Sequence, residues 1–211
     1  MGQVNMATTE AVNHHADHPG FAGATGLLAG LTMIVGRGAV ARRAADLASV
    51  SPADHVVDVG CGPGTAAREA ARRGAHVTGV DPAAVMLQLA RALTRDRTAI
   101  RWVEGSAEHL PQPDGSATVV WSLATVHHWK DVTAGLAEAR RVLAPGGRFL
   151  AIERQVRSGA TGLASHGWTD QQGESFMAQC REAGFEEVRL EKHTPGGRAV
   201  LVVAAVRAAR P

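Results

Sequence analysis

Val56-Val57-Asp58-Val59-Gly60-Cys61-Gly62-Pro63-Gly64-Thr65 decides the fold. An apolar run ends in an acid and a glycine turn. Ala66, Ala67, Ala70 and Ala71 then give the following segment a small-residue face at helical spacing. The stretch reads as a buried strand, a tight turn and a helix packed closely on a sheet. Glycine at every second position lets backbone amides approach a ligand where a side chain would block it. The turn opens at a helix N-terminus, whose free N–H groups favour a polar or anionic partner. The dinucleotide fingerprint G-x-G-x-x-G is not met, because its third glycine, counted from Gly60, falls at Thr65. The observed pattern is D-x-G-x-G-x-G, with the acid inside the motif.

Downstream, the same strand-then-helix grammar repeats. His76 to Val80 is a second strand, closed by Asp81-Pro82, and Asp81 lies 21 positions after Gly60. In doubly wound nucleotide sites an acid about 20 residues on holds ribose hydroxyls, since a carboxylate can accept from both members of a diol. The competing reading is that Asp81 only caps the next helix. That helix carries Val85, Met86, Leu89 and Leu93 as an apolar stripe, with Met86 close enough to the strand end to touch a base. Further strands are expected at 100–104, 118–122, 148–153, 186–193 and 199–207. Helices are expected at about 131–143, with Val132, Leu136, Ala139 and Leu143 inward, and from a capping box at Thr169-Asp170-Gln171-Gln172 to about Ala183. Alternating strands and helices give a parallel sheet covered on both faces, and the final hairpin requires one antiparallel strand. Ligands of such sheets bind beyond the carboxyl ends of the strands. Gly60 to Gly64, Asp81, Ser106-Ala107, His127-His128 and Glu153 all fall at such ends.

The chain has 211 residues, 45% hydrophobic and 20% charged, with a formal net charge of +2. That fits one core-bearing domain and gives no electrostatic footprint for nucleic acid or a membrane surface. Paired arginines at 42–43, 72–73 and 140–141 read as solvated helix faces. Cys61 and Cys180 have neither metal spacing nor the density of a disulfide scaffold. No metal site is expected, since His14, His15 and His18 lack a partner set. With no secretory pattern at the start, the expectation is a cytoplasmic, reduced protein. Residues 1–20 read as a loose arm. Phe21 to Val35 is uncharged but shorter than the roughly 20 residues a bilayer span needs, and Gly23, Gly26 and Gly30 interrupt it. With 37–48 it is expected to form cap helices over the pocket or a docking face for a homodimer. The expected division is 1–48 as arm and cap, and 49–211 as the ligand-binding domain.

From about residue 50 to 207 the chain resembles the class I S-adenosylmethionine-dependent methyltransferases, within their small ubiquinone-biosynthesis-like group. Asp58-Val59-Gly60-Cys61-Gly62-Pro63-Gly64-Thr65, Gly79-Val80-Asp81-Pro82, Leu110-Pro111 before Asp114-Gly115, His127-His128-Trp129 and Leu143-Ala144-Pro145-Gly146-Gly147 occur in that family's order. The resemblance implies an α/β, doubly wound, Rossmann-like fold with a seven-stranded, mostly parallel sheet, order 3-2-1-4-5-7-6, strand 7 antiparallel. It implies S-adenosyl-L-methionine as cofactor and S-adenosyl-L-homocysteine as product. Asp58, Gly60, Cys61 and Gly62 would surround the methionine part. Asp81 would hold the ribose, Pro82 and Met86 would lie against adenine, Ser106 and Ala107 would meet its edge, and Ser122 and Leu123 would border the amino group. Two positions depart from the family: Ser106 and Thr118 stand where it often has acids.

The expected reaction is in-line transfer of a methyl group to a small-molecule acceptor. The methyl on a sulfonium is already electrophilic, so alignment supplies much of the catalysis, roughly 7–11 kcal/mol in favourable cases. For a hydroxyl acceptor, His127 or His128 is the candidate base, with Glu153 and His166 as weaker alternatives and Trp129 and Trp168 as candidate walls. The alternatives are a non-catalytic cofactor-binding or interaction protein and, ranked lower, an RNA or protein methyltransferase. The identity of the acceptor is not encoded in the motifs.

Overall fold

A computed structural model describes residues 11–14, 37–94 and 100–209. Its elements are α1 (Gly38–Leu47), β1 (His55–Val59), α2 (Thr65–Arg72), β2 (His76–Asp81), α3 (Ala84–Leu93), β3 (Ile100–Glu104), β4 (Ala117–Leu123), α4 (Val132–Val142), β5 (Leu143–Arg154), α5 (Asp170–Glu182), β6 (Phe185–His193) and β7 (Val200–Arg207). The strands form one seven-stranded sheet in the order β3-β2-β1-β4-β5-β7-β6. Pairing is parallel from β3 through β5, and β7 runs antiparallel to both β5 and β6. The expected topology and the single reversed strand are both present. The expected Phe21–Val35 cap lies outside the described residues.

Side chains alternate across the sheet, and two cores follow from that alternation. Val57, Val59, Val120 and Phe149 face a cluster with Leu136, Trp129, Trp168 and Phe176, beneath α4 and α5. Val56, Val119, Trp121, Leu150 and Ile152 face Ala41, Ala44, Ala45, Ala67 and Ala70, beneath α1 and α2. The alanine faces let both helices sit close on the strands, the packing the small-residue spacing of α2 required. Gly64, φ +77°, ends the turn at the N-cap of α2. A Cβ there would stand 2.2 Å from the Trp102 ring. Gly64→Ala therefore meets both a left-handed backbone and a packed indole, and it is expected to lower stability by about 2–3 kcal/mol. Urea unfolding checks this; an unchanged midpoint would mean that the turn and Trp102 relax freely.

Three local expectations need correction. On α3 the buried residues are Met86, Leu87 and Ala90, while Leu93 is exposed. The helix lies rotated from the assumed stripe because it packs on β2 and β3 near the sheet edge, which covers only a narrow face. Strand β5 starts at Leu143 rather than Arg148, since Leu143 already pairs with Ala117 before an irregularity in the ladder. The N-terminal arm is not loose where it is described. Val12 is buried, its carbonyl accepts from the Trp168 indole at 3.0 Å, and the Ala11 carbonyl accepts from the Gln172 amide at 2.8 Å. Asn13 donates to the Trp129 carbonyl at 3.0 Å. Polar composition hid one apolar side chain that finds a slot between α5 and the β4–α4 connection. The capping box is present as expected, with the Thr169 hydroxyl and Gln172 exchanging bonds.

Candidate functional site

A cavity of about 410 Å³ opens at the carboxyl ends of β1, β2, β4 and β5. At one end the chain turns through Gly60 (φ +70°), Gly62 (φ +52°) and Gly64. Among the described residues, no atom lies within 4 Å of where a Cβ on Gly62 would stand, so that turn leaves room beside its backbone. Asp81, at the tip of β2, reaches into the same turn. Its Oδ2 accepts the Gly62 N–H at 2.8 Å and its Oδ1 accepts the Ala83 N–H at 2.9 Å. Asp81 thus braces the turn and also caps α3. Each oxygen makes one bond in doing so, and a carboxylate has about four acceptor positions, so capacity for two more donors remains. Burial pushes the Asp81 carboxyl above its ordinary range, against the pull of those two amides.

Asp58 lies beneath the turn, and Trp121 stands opposite it in the β1–β4 pairing. Burial raises its carboxyl to about 7 and the charge of Asp81 adds to the rise, while the Ala67 amide and the charge of Arg68 pull the other way. Among the described residues, Asp58 Oδ2 is buried with no hydrogen-bond partner, as is the Trp121 indole nitrogen. A buried, unsatisfied carboxylate oxygen on a cavity wall is an expensive arrangement unless a donor arrives.

The opposite end of the cavity is made of histidines. His127 and His128 sit in a 3₁₀ turn, Val126–His128, just past β4. Glu153, fully buried near the end of β5, accepts from the Val126 N–H at 2.8 Å and contacts His127 Nδ1 at 2.8 Å. A carboxylate only accepts, so the ring donates from Nδ1 and Nε2 is the nitrogen with the lone pair. His166 joins them, its ring centroid 5.5 Å from that of His127 and 5.5 Å from that of His128. Its backbone is tied to β5, since Arg154 donates to the His166 carbonyl at 2.9 Å and to the Ala164 carbonyl at 2.7 Å. Between the two ends, Ala124 holds φ +58° on the cavity wall, a conformation that costs an alanine about 1–2 kcal/mol. Its N–H bonds to the Ile152 carbonyl at 2.7 Å, and Thr125 bonds to Val59 O, so the strain is fixed in place by β5 and β1.

Of the residues singled out from sequence, Asp58, Gly60, Cys61, Gly62, Asp81, Met86, Leu123, His127 and His128, with the alternative candidates Glu153 and His166, line this one cavity. The Cys61 thiol is pushed up by burial and by the charges of Asp58 and Asp81, so it is no nucleophile. Others stand outside the lining. Pro82 is exposed. Ser106 and Ala107 belong to a tight turn in which Ser106 bridges His109. Ser122 is buried, and its hydroxyl is 2.5 Å from that of Thr125. Thr118, at the family's acidic position, donates to Asp54 at 2.7 Å, so an acid is held at that place by another part of the chain. Trp129 and Trp168 are buried core residues. Sequence reading missed Arg37, Thr125, Arg154 and Arg198, which also line the cavity. Arg37 lies close enough to Glu153 and Arg198 to feel both charges, although burial is the main influence on it.

Residues 57–151 match the family model of a methyltransferase domain. The uncharacterized methyltransferase YdaC of Bacillus subtilis is 31% identical over 144 residues, covering 67% of this chain and 77% of that protein. Demethylmenaquinone methyltransferase of Tropheryma whipplei is 36% identical over 112 residues. That match covers 53% of this chain and 46% of the relative, so the chain spans about half of that relative's length. The solved structure of an S-adenosylmethionine-dependent methyltransferase from Aquifex aeolicus superposes with a TM-score of 0.72 at 14% identity, covering 86% of this chain and 98% of that one. Among the described residues, no helix is long and apolar enough to cross a membrane.

Proposed function

This chain belongs to the class I S-adenosylmethionine-dependent methyltransferases, and on that footing we propose that it transfers a methyl group to a small-molecule acceptor in the 410 Å³ cavity. The observation that carries the reading is Asp81 bonded to the Gly62 amide, which joins the diol-binding acid and the glycine turn in one wall. S-adenosyl-L-methionine supplies an electrophilic methyl on sulfur. Asp81 holds the ribose hydroxyls with its remaining acceptor capacity. Gly60, Cys61 and Gly62 offer backbone where a side chain would intrude, and Asp58 Oδ2 waits for a donor from the methionine end. Met86 and Leu123 supply apolar wall. Pro82, Ser106, Ala107 and Ser122 stand outside the lining, so any share they have in binding is indirect.

The acceptor meets the methyl at the histidine end. His127, fixed by Glu153, presents a lone-pair nitrogen there, and the His128 ring lies tilted at 42° against it with centroids 4.2 Å apart. A small-molecule acceptor suits a cavity of this size, and the relative from Tropheryma whipplei is named for one. The modest net charge argues against a nucleic-acid partner. Arg37 together with Val40 and Ala41 of α1 lines the cavity, which supports a covering role for α1 and the residue before it.

Calorimetric titration with S-adenosyl-L-methionine and S-adenosyl-L-homocysteine tests the binding half. A folded sample that takes up neither defeats the proposal. For the second half, His127→Ala is expected to lower methyl transfer about 100-fold while cofactor affinity stays within about threefold. A parallel loss of affinity would move His127 from activating the acceptor to shaping the cofactor site.

A further inference from the structure

We propose that His127, His128 and His166 form a divalent metal site of the zinc type, which binds and activates a chelating hydroxyl or thiol acceptor. The inference rests on the methyl-transfer reading for its purpose, but the metal site itself stands on geometry alone. One nitrogen from each ring lies within 4.8 Å of the others. Ligands about 2.0–2.1 Å from a tetrahedral ion stand about 3.3 Å apart, so closing the site needs shifts of about 1 Å, within reach of small side-chain rotations.

The site has the outer layer that metal histidines need. Glu153 takes the Nδ1 proton of His127 at 2.8 Å, which fixes the tautomer and leaves Nε2 as ligand; carboxylate–histidine–metal triads are built this way. Glu153 is itself held by the Val126 amide. His166 is positioned by Arg154 and by Gly167, whose φ of +142° and close approach to the Arg154 carbonyl admit no side chain. His14 stacks on His127 with centroids 6.0 Å apart, but one ring nitrogen meets Ser165 O and the other Gln172, so it is wall and not ligand.

Three neutral imidazoles suit zinc and neighbouring first-row ions, and three protein ligands leave the open position of a catalytic site. That position faces the cavity already assigned to methyl transfer. A hydroxyl bound there loses its proton at far lower pH, as metal-bound water does, where the shift is from about 15.7 to about 7. The acceptor's O–H or S–H bond breaks and the proton passes to water. Its freed pair forms the bond to the methyl carbon as that carbon's bond to sulfur breaks, and the breaking pair stays on sulfur. The lone pair on His127 then holds the ion instead of taking the proton.

The test is titration of the full chain, stripped of metal, with Zn2+ by calorimetry and with Co2+ by visible absorption. One ion per chain is expected, with a d–d spectrum of low coordination number. His166→Ala, at a half-buried position, is expected to weaken metal binding at least 30-fold and to leave S-adenosylmethionine binding unchanged. Glu153→Gln is expected to weaken it 10- to 100-fold. His15→Ala/His18→Ala is expected to keep the ion. A wild-type chain that binds S-adenosylmethionine but not Zn2+ or Co2+ overturns the metal site and leaves His127 as a base. An ion retained by His166→Ala, or lost with His15 and His18, also overturns it. A chain that binds the ion but not the cofactor instead removes the methyl-transfer reading and keeps the site.

Discussion

Asp81→Ala is expected to weaken S-adenosyl-L-methionine binding about 1,000-fold. Hydrogen bonds to a charged group contribute about 1.5–3 kcal/mol each, and the ribose diol offers two. At about 1.4 kcal/mol per factor of ten, the pair accounts for roughly two to four orders of magnitude. The same substitution releases the Gly62 and Ala83 amides, so the turn that faces the methionine part also loosens. Asp81→Asn should fall between wild type and alanine, because an amide keeps one acceptor oxygen and replaces the other with a donor. Burial raises the Asp81 carboxyl, so cofactor affinity should decline on the acid side at higher pH than an ordinary aspartate would give. Calorimetry across pH 4–8, with a thermal melt to verify the fold, reads all three. Wild-type affinity in the alanine variant would place the diol elsewhere and remove the main support for the cofactor site.

Asp58→Asn should abolish a pH dependence of stability that the wild type shows between about pH 4 and 7. The carboxyl is raised from an ordinary 3.8 to about 7 by burial. A folded state that prefers the neutral acid is most stable below the unfolded value, and it loses that advantage as pH rises through the folded one. A rise of that size corresponds to about 4 kcal/mol, lost progressively across the window and level above it. Urea unfolding of wild type and Asp58→Asn from pH 4 to 8 checks the slope. Equal slopes would mean that Asp58 is solvated or paired in solution. Bound cofactor, with its positively charged methionine end, should favour the ionised acid, so affinity should rise with pH through about 7. On the proposed reading, a donor at the methionine end of the cofactor would satisfy the Asp58 oxygen.

The glycine turn, the acid after β2, the capping box at Thr169 and the strand–helix alternation were all legible because they are local. Period, turn chemistry and caps depend on residues a few positions apart, and backbone sterics enforce them wherever the stretch occurs. Placement of the five strand ends on one rim followed from the parallel topology. The local signal failed at α3, where Leu93 looked inward by spacing but projects past the edge of the sheet. It failed at Val12, where a single apolar residue in a polar stretch carries no period to read.

What the sequence determined by itself is the doubly wound sheet and the half of the cavity built around Gly62 and Asp81. The sequence also named His127, His128, Glu153 and His166 as candidates, but only the tertiary structure decided how they meet in the other half. Glu153 and His166 come from the end of β5 and from the loop that follows, and Arg37 comes from the residue before α1. Each meets His127 or its partner through contacts that span many residues. Such contacts depend on which strand lies beside which and on the position at which each one ends. Glu153 reaches Val126 and His127 because β5 runs parallel to β4 in a register that sets Leu123 beside Ile152, and no spacing within either strand encodes that meeting.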